Sequence, residues 1–410
     1  MVKITVSKKP RLLFLDNIKV LFTILVIFQH ARVTYTGAGW WYYIESNPED
    51  LVSAIFFGIV IGFGGLLQAS LLGLFFLMGG YFTPKSYDRK GASSFWKERL
   101  RRLGIPLLVY IVLINPIMLY TLAAMGIEPW SSNPTMQGSF LDYYMSNFES
   151  MERFIHFLTN YGPMWFIFVL LVLTAVYTLW RLITKPDAVQ QYIPKEFPIP
   201  RYFYLLLFAI GLGIVTYLVR ILYSIDNRPF GIPVGFMIQY LMMFSVGVIA
   251  VRYGWFEKMT KDHVKAWSIT MAAAFVFFYL YAFLFVGMDA DFSVYMGGSS
   301  VAALAWALAE SIICVGMIFV LIPIFYAKFN HQGTLLHNLS SSAYHMYLIH
   351  PPILVLVALA FASVPLIPVV KLWIVFPLTV ILCYLASYYG LQRIHLKKRT
   401  SSTERRVKRS

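Results

Sequence analysis

Ten windows of about 20 residues, each nearly free of charge, run through this chain from end to end, and each is long enough to cross a hydrocarbon core of roughly 30 Å as a helix. They fall near 15–35, 62–82, 105–125, 164–182, 202–221, 232–251, 266–286, 300–327, 342–361 and 369–391. In lipid every backbone N–H and C=O must find its partner within the protein, so runs of this length specify helices. The predicted fold class is all-α, a polytopic membrane helix bundle with about ten transmembrane helices and both termini cytoplasmic. A mean hydropathy of +0.67 with 13% charged residues excludes an ordinary soluble domain.

The basic residues give the orientation. Of the 34 Lys and Arg, 28 fall in the amino-terminal segment, the stretch Lys85 to Arg102, the loops 181–201 and 252–265, Lys328 and the tail from Arg393. The opposite side keeps only Arg32, Arg153, Arg220, Arg228 and Lys371, and several of its loops are acidic, with Glu45, Glu49, Asp142, Glu149 and Glu152 among them. Positive charge is retained on the cytoplasmic side, which puts both termini there. A net charge of +15 distributed in this way argues for membrane lipids with anionic headgroups as its partner, and against nucleic acid. The expected location is a cell membrane crossed many times.

The basic start and following apolar run have the outline of a signal peptide, but Asp16 and Lys19 interrupt it and no small-residue cleavage site follows. It is expected to stay as the first span. With no internal repeat visible, residues 1–392 are expected to form one transmembrane domain and 393–410 a basic cytoplasmic tail. Cys314 and Cys383 both fall inside spans and indicate no disulfide framework. Residues 51–82 carry no charge and as one helix would measure about 48 Å, more than the membrane is thick. Gly58, Gly62, Gly64 and Gly65 are expected to break it, with its first part on the outer interface or folded back into the bundle.

Two outer loops are rich in rings: Trp40, Trp41, Tyr42 and Tyr43 in the first, and Trp130, Tyr143, Tyr144 and Tyr161 in 126–163. An interfacial aromatic belt is the ordinary reading of such rings, and stacking on sugar faces is the alternative. The loop 185–201 holds Pro186, Pro194, Pro198 and Pro200, which argue against regular structure.

Ionisable groups inside spans are costly and mark function by default. Lys19 and His30 lie eleven residues apart on the first span, three helical turns that return to one face roughly 16 Å further along. The cation is near the cytoplasmic face and the base near the outer end. Asp16 lies one turn before Lys19, so a local ion pair is the plain account of both. At the entry to the third span, FWKERLRRLGIP places Arg99 and Arg102 one turn apart, and planar guanidinium groups suit a bound polyphosphate. Glu310, within the eighth span, lies at a depth comparable with His30 and is expected to orient it. Cys314, one turn on, reads as a small hydrophobe and not as an acyl carrier. Gly79 and Gly80 in FFLMGGYF would let another helix or a ligand approach closely. In SSSAYHMYLIHPP the serines suit a helix start, the double proline a kink, and His350 the lining of a cavity. The remaining histidines have no clear metal-site context, and no metal is expected.

Taken together, these segments resemble the acyltransferase 3 family of integral membrane acyltransferases over nearly the whole chain. The motifs are FLDNIK at the start, the basic residue with His after ten more (Lys19, His30), FF-x-x-small-Gly-aromatic at 75–82, Arg-x-x-Arg then GIP at 99–106, MWFIFVL around Trp165, and YLIH at 347–350. By eye the chain is similar to the glucan succinyltransferase-like members found in bacterial envelopes. The resemblance implies transfer of an acyl group, acetyl or succinyl, from cytoplasmic acyl-CoA to a hydroxyl of an extracytoplasmic acceptor such as a cell-envelope carbohydrate or glycolipid, at the prokaryotic cytoplasmic membrane. It implies no permanently bound cofactor, with acetyl-CoA or succinyl-CoA as donor substrate. It further implies His30 as the essential base, with Lys19, Arg99 and Arg102 at the donor site. Two departures stand out: the family usually has Arg where Lys19 stands, and Ser where Gly79 stands.

The mechanism expected from these residues is direct transfer. The phosphates of acyl-CoA bind Lys19, Arg99 and Arg102, the pantetheine arm extends up the bundle, and His30 deprotonates the acceptor hydroxyl with Glu310 orienting the imidazolium. Arg32, Tyr81, Trp165 and His350 are the candidate substrate-binding residues, the first three also as oxyanion donors. A secondary transporter, which would show two related halves, and a non-catalytic membrane scaffold are the alternatives. Association into a homo-oligomer is left open.

Overall fold

A computed structural model of the protein describes residues 12–45, 51–127, 138–184, 196–287 and 292–392, with backbone alone for 51–55, 57, 59, 69, 391 and 392. Trp130, much of the proline-rich loop and the tail 393–410 lie outside the described residues. The principal helices are α1 (Leu13–Thr36), α2 (Leu51–Arg99), α3 (Ile105–Val109), α4 (Asn115–Ala124), α5 (Phe140–Ser146), α6 (Met151–Thr159), α7 (Trp165–Ile183), α8 (Tyr202–Leu222), α9 (Val234–Tyr253), α10 (Lys261–Tyr281), α11 (Val301–Lys328), α12 (Thr334–Ala360) and α13 (Pro368–Leu385). No strand occurs among the described residues.

Among the described residues nine helical stretches are long and apolar enough to cross a membrane, one of them the 65 residues Val60–Ala124. That stretch holds two of the ten windows. It turns at Gly91, whose φ of 72° is open to glycine alone at little cost. The return is visible in the contacts: Arg99 Nη2 donates to Thr83 Oγ1 at 3.0 Å, Lys90 pairs with Glu98, and the Tyr87 and Phe95 rings meet edge to face at 5.5 Å. The second arm then climbs through α3 and α4, joined by π-helical turns at Leu100–Gly104 and Tyr110–Ile114. All ten windows are therefore helical, and the protein is a multi-pass membrane bundle.

The expected break at Gly58, Gly62, Gly64 and Gly65 is not found, since α2 departs from helical geometry only at Gly91. Three of these glycines instead make room. A Cβ on Gly62 would strike the Tyr279 ring, one on Gly64 would lie 2.7 Å from Arg32 Nε, and one on Gly65 would lie 2.7 Å from the Trp306 ring. The reading of Gly80 as a point of close approach is met: a Cβ there would collide with the Phe244 carbonyl, and one on Gly247 with the Leu77 carbonyl. Helices α2 and α9 thus cross backbone to backbone, as small residues permit in membranes. Helix α12 begins at Thr334, earlier than the serines suggested. Ser340 and Ser341 sit inside it and bond back to the carbonyls of His337 and Asn338.

Candidate active site

The site is built where α1 and α12 meet. Proline cannot donate a backbone hydrogen bond, so Pro351 leaves the carbonyl four residues earlier, that of Tyr347, without its helical partner. His350 Nδ1 takes that carbonyl at 2.6 Å, and its Nε2 lies 3.0 Å from His30 Nδ1. A carbonyl only accepts, so His350 carries its proton on Nδ1 and, when neutral, offers a lone pair at Nε2. His30 then donates from Nδ1 and keeps its own lone pair on Nε2. The HPP sequence thereby assigns the tautomer of a residue on another helix.

The segment after α1 closes over His30. Gly37 ends the helix in the left-handed conformation, with φ of 69°. Trp41, buried, stacks on His30 with centroids 4.2 Å apart and planes inclined by 22°. Trp40 Nε1 donates to Asp226 at 3.2 Å, Tyr42 Oη donates to Asn115 at 2.5 Å, and Glu45 pairs with Lys371 of α13. The segment is thus held at Trp40, Tyr42 and Glu45.

Two cavities meet at His30. The outer one, about 420 Å³, is bounded by Tyr42, Glu152, His156, Tyr161, Asp226 and Phe230 among others. The inner one, about 90 Å³, is bounded by Gln29, Arg32, Gln68, Leu72, Phe166 and Tyr347 among others. His30, Trp40, Pro163, Trp165 and Arg228 line both and form the neck between them. Arg228 lies outside the spans, and burial lowers its pKa to about 10, which leaves it charged at neutral pH.

A third cavity, about 1200 Å³, opens at the end of the bundle that the charge distribution assigns to the cytoplasm, and Lys19, Arg99 and Arg102 all line it together with Lys85, Arg89 and Lys90. Lys19 does pair with Asp16, at 2.8 Å, and also lies over the Phe82 ring at 4.9 Å. The local ion pair and the place in the cavity coexist.

Two expected positions differ. Glu310 is not paired with His30; its Oε2 accepts from Arg220 Nη1 at 2.6 Å, with both side chains fully buried. Helix α2 runs between the two sites: Gly64 faces Gln29 and Arg32 of α1, whereas Gly65 and Gly73 face Trp306 and Cys314 of α11. Tyr81 is not at the neck. It stacks on Phe256 at 4.4 Å with Lys85 over its ring, because seventeen residues of α2 separate it from Gly64, roughly 25 Å of helix. Arg32 lies in the inner cavity with its Nε donating to Gln29 at 3.0 Å. Trp165 is at the neck, and His350 is bonded to His30 itself. Arg228 was not singled out by the sequence, although it is one of the few cations on a side where basic residues are scarce.

The family model described as an acyltransferase domain, that of the acyltransferase 3 family, matches residues 12–388. Among curated proteins the chain is similar to glucans biosynthesis protein C of Escherichia coli K12, 24% identical over 274 residues, and to the protein of that name from Shigella boydii serotype 4, 25% identical over the same length. The similarity spans 65% of this chain and 65% of each relative. No solved structure matches. With this family match over nearly the entire length of a helical bundle, the chain belongs to the acyltransferase 3 family.

Proposed function

We propose that the protein transfers a short acyl group, acetyl or succinyl, from cytoplasmic acyl-CoA to a hydroxyl of an extracytoplasmic carbohydrate or glycolipid, at the cytoplasmic membrane of a prokaryote. The observation that carries this reading is the position of His30, with a lone pair on Nε2, at a neck between an outer cavity and an inner one. The rings and carboxylates of the outer cavity suit a sugar, since rings cover its C–H faces and Glu152 and Asp226 accept from its hydroxyls. The names of the relatives suggest a glucan. The small inner cavity suits a short acyl chain.

The donor enters from the other side. Lys19, Arg99 and Arg102 hold the phosphates, and the distance from Lys19 to His30 along α1, roughly 16 Å, is within the reach of an extended pantetheine arm. Tyr344 lines the donor cavity, Tyr347 the inner cavity, and His350 bonds His30. These three, at successive spacings of three residues on α12, mark the same route.

In the transfer His30 Nε2 takes the acceptor hydroxyl proton as the oxygen attacks the thioester carbonyl carbon. The new C–O bond forms while the carbonyl π pair moves to oxygen. The intermediate then collapses, the C–S bond breaks, and the CoA thiolate takes the proton from His30 Nε2. An ester and CoA thiol result, with no proton left over.

The test of the donor assignment is steady-state transfer in membranes with varied acyl-CoA. Lys19→Ala and Arg99→Ala are each expected to raise the donor concentration needed for half-maximal rate by about tenfold, the equivalent of one lost charged contact of ~1.4 kcal/mol. The saturated rate stays near that of the parent, and Lys19→Arg retains the parent value. An unchanged donor requirement in both alanine variants would reduce these residues to helix anchors.

A further inference from the structure

We propose that Arg228 is the oxyanion-stabilising group of this transferase, its guanidinium facing the carbonyl oxygen of the acyl group as that oxygen becomes negative; the assignment rests on His30 acting as base at the neck. The position is defined by the two cavities. A thioester arriving through the inner cavity and a hydroxyl arriving through the outer one can meet only at the neck, and among the described residues Arg228 is the one Lys or Arg that lines both sides of it. Of the other neck groups, His30 is committed to the proton, Pro163 has no N–H, Trp40 Nε1 is engaged with Asp226, and Trp165 offers a single N–H without charge.

The guanidinium is available. Among the described residues no hydrogen bond or ion pair holds it, and its buried Nε has no partner. It lies over the Trp40 ring at 5.3 Å, which fixes its plane while leaving its N–H edge unspent. The backbone that carries it is also held firmly. Gly231 N donates to the Arg228 carbonyl at 2.9 Å. Phe230, with φ of 53°, is the single residue other than glycine with positive φ among those described, and Gly231 presses against the Thr159 carbonyl so that no Cβ would fit. Strain of this kind is kept where the surroundings enforce a position. The end of the preceding helix is tied as well, because the Arg220 carbonyl accepts from Gly298 N at 3.1 Å.

A preorganised donor aimed at developing charge contributes about 10²–10³ in rate. The experiment compares the parent with Arg228→Gln and Arg228→Lys, each checked for monodispersity and thermal unfolding, using acetyl-CoA and an S-ethyl-CoA thioether that lacks the carbonyl. The expected result for Arg228→Gln is a loss of about 10²–10³ in kcat with thioether binding and both KM values within a factor of two of the parent. Arg228→Lys, which keeps the charge and loses the planar fork, is expected to recover only part of the rate. A kcat within threefold of the parent in both variants would overturn the assignment, as would a loss confined to the KM of donor or acceptor. If Arg228→Gln folds poorly, the kcat of Arg228→Lys decides. His30→Ala in the same assay separates the two ideas. A dead His30 variant beside an active Arg228 variant sinks the oxyanion role alone, whereas an active His30 variant sinks the reading beneath it.

Discussion

His30→Ala is expected to lower acyl transfer by about 10²–10⁴-fold, the contribution of a positioned general base, without loss of insertion or fold. The ring is at the neck of two cavities and half-buried, so its removal enlarges the cavity and leaves no buried charge unpaired. The same geometry sets the order of effects at its partner. His350, expected to line a cavity, is not among the residues that bound the three cavities described; it bonds His30 Nδ1 at 3.0 Å and is itself held by the Tyr347 carbonyl. His350→Gln, which retains a side-chain acceptor near that position, should cost less than His30→Ala, and His350→Phe should cost more than His350→Gln, since a ring without an acceptor removes the bond between His30 Nδ1 and α12. These variants need only a transfer assay with a radiolabelled acyl donor and a thermal unfolding control. Equal rates in His350→Gln and His350→Phe would show that the bond between the histidines has no part in transfer.

The second large effect is one of stability. Glu310→Ala leaves the Arg220 guanidinium charged in the middle of the bundle, without the carboxylate that meets it at 2.6 Å. Breaking a fully buried pair from one side typically costs about 3–5 kcal/mol, whereas replacing both members with apolar residues is often neutral. Glu310→Ala and Arg220→Leu should each lower the unfolding temperature sharply in detergent, and Arg220→Leu combined with Glu310→Leu should recover most of it. The folded fraction of the double variant should transfer acyl groups at a rate within a few fold of the parent. A double variant as stable as the parent but inactive would return Glu310 to the chemistry.

The contrast between these residues explains which features could be read from the amino-acid order. The spans could, because a bilayer demands length and apolarity that few other structures need, and among the described residues the ten windows fall on the nine long apolar helical stretches, two of them on the stretch that turns at Gly91. The shared cavity of Lys19, Arg99 and Arg102 followed from the depth of each residue, which charge distribution supplies. Lateral neighbours were another matter. Glu310 and His30 have similar depth, yet α2 passes between them and Arg220 lies on the side of Glu310. Glycine was ambiguous for a physical reason: Gly64 and Gly65 lack a Cβ whether the chain must break or a neighbour must fit, and here Arg32 and Trp306 fill the space. Pro351 in the sequence predicts a kink, while its consequence for His350 depends on a carbonyl that only the folded helix brings within 2.6 Å.

In the proposed reaction donor and acceptor reach His30 from opposite faces of the membrane. Sealed inside-out vesicles carrying the protein, loaded with an oligosaccharide acceptor and supplied with radiolabelled acyl-CoA outside, test it directly. Labelled ester is expected on the enclosed acceptor, none with His30→Ala, and no labelling of acceptor added outside with the donor. Labelling that requires both substrates on one face would contradict it.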